Sequence, residues 1–142
     1  MTSGAGFPSM GAGRPATGVS AWALGFLVLL PIPLLGPLAA GGGMVAAYGT
    51  LSVQGPLAKA NAASAKRWGS FFLIVSTALL VLQLSLTVPR LITPGPSVGF
   101  FPLGVPIMLY VLVCVIHLVV VTVGTVRAAR GQVMRIPFGK SS

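Results

Sequence analysis

VSAWALGFLVLLPIPLLGPLAAGGGMVAAYGTLSV, residues 19–53, holds no charged residue, and the reading of this stretch decides the fold. A helix needs about 20 apolar residues to cross the hydrocarbon of a bilayer. The stretch is therefore longer than one plain span and too short for two full spans and a turn. Pro31, Pro33 and Pro37 interrupt its first half, and each removes a backbone donor and disfavours a straight helix. The expected form is one long span, broken or kinked, with residues 21–30 as its outer part and 34–51 as its main part. The alternative is a re-entrant first half, whose non-helical backbone must be shielded by protein at that depth. Gly36, Ala39, Ala40, Gly43 and Ala47 fall in the main part at small-xxx-small spacing, which lets another helix approach closely. They are candidate packing positions, within the chain or along a dimer seam.

Outward from this stretch, residues 1–19 are rich in Gly, Ser and Pro and read as a flexible tail. Residues 54–67 form a polar linker. Pro56 suits the first turn of a short helix there, and Lys59 and Lys66 share a face two turns apart, as in a helix lying on an anionic leaflet. Residues 68–88 are charge-free and form the second expected span, with Trp68 at the interface. A Pro-rich turn carrying Arg90 follows. The third span is expected over 105–126, with Phe100 and Phe101 as interface anchors before it. Arg127 and Arg130 close it, complementing the negative helix end, and Gly131 is placed to cap it. The predicted fold is all-α: a polytopic membrane helical bundle with a Pro-broken first span. A three-span domain occupies 20–130, and a basic tail 131–142.

The composition supports a membrane setting. Apolar residues make up 55% of the 142 and charged residues 6%, whereas a soluble domain carries about a quarter charged. The chain contains nine Lys and Arg and no Asp or Glu, so its cations have no side-chain counter-ion within it. Anionic lipid phosphates or an acidic partner are the expected contacts of Lys59, Lys66, Arg67, Arg127 and Arg130. The charges are few, scattered and separated by apolar runs, with no basic stripe for nucleic acid. For three spans, Lys59, Lys66, Arg67, Arg127, Arg130, Arg135 and Lys140 stand on one side, and Arg14 and Arg90 on the other. The positive-inside rule then places the C-terminus in the cytoplasm and the N-terminus outside. A cleaved secretory signal would carry its charge before the apolar core, and here the stronger charge follows it, so an uncleaved reversed anchor is preferred.

Acid–base catalysis, magnesium or calcium sites and acidic proton relays lean on carboxylates, which no side chain here supplies. Gly41-Gly42-Gly43 lies in an apolar span and lacks the strand and Lys-Ser/Thr pair of a phosphate loop. Cys114 is the single cysteine, which leaves no internal disulfide, and it reads as a small hydrophobe. His117 is the intramembrane ionisable group. It pairs on paper with Cys114, three residues away, but no third group or oxyanion hole is visible. A neutral imidazole bonded to a backbone carbonyl or to a polar neighbour such as Gln83 is expected. No cofactor and no enzymatic activity is expected.

Three short features carry a resemblance. They are Leu35-Gly36-Pro37-Leu38, the run from Gly55-Pro56-Leu57-Ala58-Lys59-Ala60-Asn61 to Ala65-Lys66-Arg67-Trp68, and Arg130-Gly131-Gln132 followed by Arg135-Ile136-Pro137-Phe138. Together they resemble the small bacterial membrane proteins catalogued as domain of unknown function 4870, a family remotely similar to a chloroplast inner-envelope import component. The chain differs in its acid-free linker and in carrying Arg67-Trp68 where the family has Asn-Phe. The resemblance implies a multi-pass protein of a bacterial cell membrane and brings no activity. The expected function is non-enzymatic packing with other membrane proteins; the alternative is an oligomeric translocation or transport component.

Overall fold

A computed structural model of the chain describes residues 15–32, 35–93, 95–96 and 100–136. Gly18 takes a left-handed φ of 77° and starts α1 (Val19–Ala23), which tightens into a 3-10 helix over Leu24–Leu29. Leu30 leaves helical geometry with ψ 127°, and bends follow before α2 (Leu35–Leu51). A short turn leads to Pro56, which opens α3 (Pro56–Ile92), a helix of 37 residues. Last comes α4 (Phe100–Ala129), kinked at Phe101 and apolar from Leu103. Every regular element among the described residues is helical.

The first apolar stretch is a hairpin. At its start, a side chain on Gly18 would stand 2.9 Å from the Ala58 carbonyl, near the beginning of α3. Further along, Gly25 abuts Val121 and Met44, and the tip residues 28–32 share a cleft with Tyr110, Cys114 and Leu118 of α4. The chain then doubles back. A Cβ on Gly36 would lie 3.0 Å from the Val28 carbonyl, so the two arms meet without side chains between them. α2 returns antiparallel to α3 and crosses it backbone to backbone. A Cβ on Gly41 would come 3.0 Å from the Gly69 carbonyl, and one on Gly69 would come 2.8 Å from Met44 Cβ.

This arrangement departs from one kinked span and answers to the alternative in which the first stretch turns back. The Asn61 side-chain amide donates to Thr17 O at 2.9 Å and to Gln132 O at 3.2 Å. The segments that precede α1 and follow α4 thus lie at one end of the bundle, not at opposite ends. The Pro-rich break turns the chain back rather than kinking a single span. The arms Val19–Leu29 and Leu35–Leu51 are each shorter than the roughly 20 residues a crossing takes. Two helices, Pro56–Ile92 and Leu103–Ala129, are long and apolar enough to cross a membrane.

Other boundaries also differ. Residues 56–67 are no separate linker helix but the first turns of α3, with Pro56 in the opening turn as expected, and the helix runs through Pro89 to Ile92. Gly131, φ 71°, caps α4 as expected: Gln132 N–H bonds Arg127 O at 2.9 Å and Gly131 N–H bonds Ala128 O at 3.0 Å, the pattern of a Schellman motif. Beyond it Met134 and Ile136 fold back onto the core, so this part of the expected tail is packed. Residues 1–14 and 137–142 of the two expected tails lie outside the described residues.

The core gathers at the end shared by Thr17, Asn61 and Gln132. Ala21, Trp22, Met44, Leu51, Ala62, Ala65, Trp68, Val121 and Ala128 form it. Trp22 is fully buried and lies over Gly124, where a side chain would collide with the indole. Away from this end α3 and α4 continue with exposed apolar side chains, among them Val81, Leu84, Leu91, Met108, Leu112 and Val115.

Candidate functional site

His117 sits where α4, α3 and the 3-10 segment meet, and it is fully buried. Trp68 Nε1–H donates to its Nδ1 at 3.1 Å, and its Nε2 stands 3.0 Å from the Gly25 carbonyl. An indole can only donate and a carbonyl can only accept. The pair therefore selects the neutral imidazole with its proton on Nε2. Phe72 stacks on the ring, with centroids 3.7 Å apart and planes 24° apart. The expected carbonyl partner is present. Gln83 is not a partner: its amide donates to Thr87 Oγ1 at 3.0 Å, one turn along α3. Trp68, expected at the interface, is instead 6% exposed and engaged with this ring.

Both nitrogens of His117 are taken, so neither is turned to Cys114. The thiol lines the hairpin-tip cleft with Tyr110, Leu118 and Val28–Ile32 residues, in a volume of about 380 Å³. It is half-buried rather than buried. The nucleophile–base pair imagined from their spacing is not assembled.

Sequence reasoning missed Asn61. This side chain is fully buried and holds three segments: besides its bonds to Thr17 O and Gln132 O, its Oδ1 accepts from Met134 N–H at 3.3 Å. The available signal was positional. Ala58, Asn61, Ala62 and Ala65 recur at helical spacing as one buried stripe. A polar residue in such a stripe needs partners, because an unpaired buried amide costs about 1–3 kcal/mol.

The expected packing positions lie on the intramolecular side of α2. Gly36 and Ala40 are buried, Ala39 is half-buried, a Cβ on Gly43 would stand 3.6 Å from Leu24 and Leu27, and Ala47 packs against the core. Lys59, Lys66, Arg67, Arg127 and Arg130 are all exposed. Lys66 and Arg67 line a cleft between α2 and α3, and Lys66 Nζ lies 4.8 Å from the Tyr48 ring centroid.

Comparison of the chain with protein-family models, curated proteins and solved structures finds no match to any of them. The fold and its buried contacts define an all-α chain with two long apolar helices and a latched helical hairpin.

Proposed function

We propose that this is a small integral membrane protein that acts without catalysis, by packing against other membrane proteins. α3 and α4 cross the bilayer, and residues 19–51 enter and leave it from the cytoplasmic side. One observation carries the reading: the halves of α3 and α4 beyond the core expose a continuous run of large apolar side chains that no other part of the described chain covers. Such surface is tolerated in lipid or against another apolar helix, and in water it drives association.

Further support comes from charge. With both ends of the hairpin on one side, Arg14, Lys59, Lys66, Arg67, Arg127, Arg130, Arg135 and Lys140 count to the cytoplasm, and Arg90 alone to the outside. This is a sharper positive-inside bias than the three-span topology gives. The engaged nitrogens of His117 and the absence of side-chain carboxylates favour a non-enzymatic role. The reading as an oligomeric transport component, in a bacterial cell membrane, draws on the family resemblance.

Crosslinking in native membranes, followed by mild-detergent purification and mass spectrometry, tests the proposal. A reproducible foreign membrane protein joined through α3 or α4 supports it. A closed homo-oligomer that carries flux in liposomes favours the transport reading and defeats the first.

A further inference from the structure

The cleft between α2 and α3 has a volume of about 460 Å³ and is lined by Tyr48, Ala63, Lys66, Arg67 and Ser70. Ala63, Lys66, Arg67 and Ser70 follow one another at i, i+3, i+4 and i+7, so they form a single stripe on α3. Tyr48 of α2 is the facing wall, and its ring holds the Lys66 ammonium by cation–π attraction at 4.8 Å. Ala63 is small and leaves room between the cations and that wall. Two hydroxyls, of Tyr48 and Ser70, add neutral donors.

Three features select the occupant. The cleft is cationic and the sequence holds no Asp or Glu, so no side chain neutralises it and an anionic occupant is favoured. A guanidinium beside an ammonium and hydroxyl donors suits the tetrahedral oxygens of a phosphate, which Arg binds in a fork. The stripe then continues into apolar surface: Phe71 and Ile74, each one turn beyond Arg67 and Ser70, are 48% and 69% exposed. A free anion has no use for that surface, whereas an acyl chain lies along it. Helical side chains lean towards the N-terminus of their helix, which carries the heads of Lys66 and Arg67 away from the apolar run, to the level of lipid headgroups.

We propose that this cleft is a binding site for the phosphate headgroup of an anionic membrane lipid, with Lys66 and Arg67 as its charged ligands. The proposal rests on the membrane reading above. It is tested on the full chain in mild detergent by native mass spectrometry, after exposure to phosphatidylglycerol or phosphatidylcholine. Phosphatidylglycerol should be retained as a single adduct in preference to phosphatidylcholine, and an excess of inorganic phosphate should not displace it. The double variant Lys66→Gln/Arg67→Gln should lower retention about tenfold or more. Arg90→Gln/Arg135→Gln removes the same charge at exposed positions elsewhere and should change retention less than about threefold. Circular dichroism of both variants should match the parent, since all these residues are exposed. Equal losses in the two variants, equal retention of both lipids, or displacement by inorganic phosphate would overturn the site. Carbonate extraction of the starting membranes separates the two claims: release of the protein sinks the membrane reading, whereas an extraction-resistant protein without the selective loss sinks the site alone.

Discussion

At the residue scale, two buried polar groups hold the hairpin to the long helices, and each makes a distinct prediction. His117 ties Trp68 to the Gly25 carbonyl and fills the space against Phe72. His117→Ala leaves a buried donor and acceptor unpaired and opens a cavity. It should lower unfolding stability by about 2–4 kcal/mol, read by thermal or denaturant unfolding in detergent. An unchanged midpoint would contradict the latch. Asn61→Leu should cost about 1–3 kcal/mol and speed hydrogen exchange at the Met134 amide more than at mid-α3 amides. Uniform exchange would contradict its role as the tie between the two ends. The sequence made the neutral state of His117 legible, because it lies in an apolar run and no acidic side chain exists to stabilise an imidazolium. Its partners were not legible, since Gly25 and Trp68 lie 92 and 49 residues away.

At the element scale, the informative position is the crossing of α2 and α3. Gly69→Val places branched carbons against Met44 Cβ and the Gly41 backbone, which leave no room even for a Cβ. Overpacking there should destabilise the protein by about 1–3 kcal/mol. The same change at Gly42, where open space surrounds a Cβ, should cost less than about 1 kcal/mol. Equal effects would mean that the helices do not cross at Gly41 and Gly69. The charge-free runs made α3 and α4 recognisable, and Gly131 announced the end of α4. The junction at Arg67-Trp68 misled, because a change from polar to apolar composition need not end a helix: Ala-rich sequence from Pro56 continues unbroken into it. The direction of the first stretch was hidden for another reason. Pro31, Pro33 and Pro37 break a helix equally whether the chain kinks onward or turns back. The choice is made by distant contacts, Gly18 on Ala58 and Gly25 on Val121.

At the scale of the whole molecule, the hairpin packs a core at one end and leaves the far halves of α3 and α4 apolar and exposed. This asymmetry fits a protein anchored and ordered on the side where its cations lie, with lipid or partner helices around the rest. The central claim is that Pro15 and Gln132 share a face and Thr93 lies on the other. It can be read from single cysteines introduced at these exposed positions in a Cys114→Ala background, with a membrane-impermeant maleimide on intact cells. The expected result is that Thr93→Cys labels at once, while Pro15→Cys and Gln132→Cys label together and only after permeabilisation. Labelling of Pro15→Cys in intact cells with Gln132→Cys protected would contradict the re-entrant hairpin and restore a first helix that crosses the membrane.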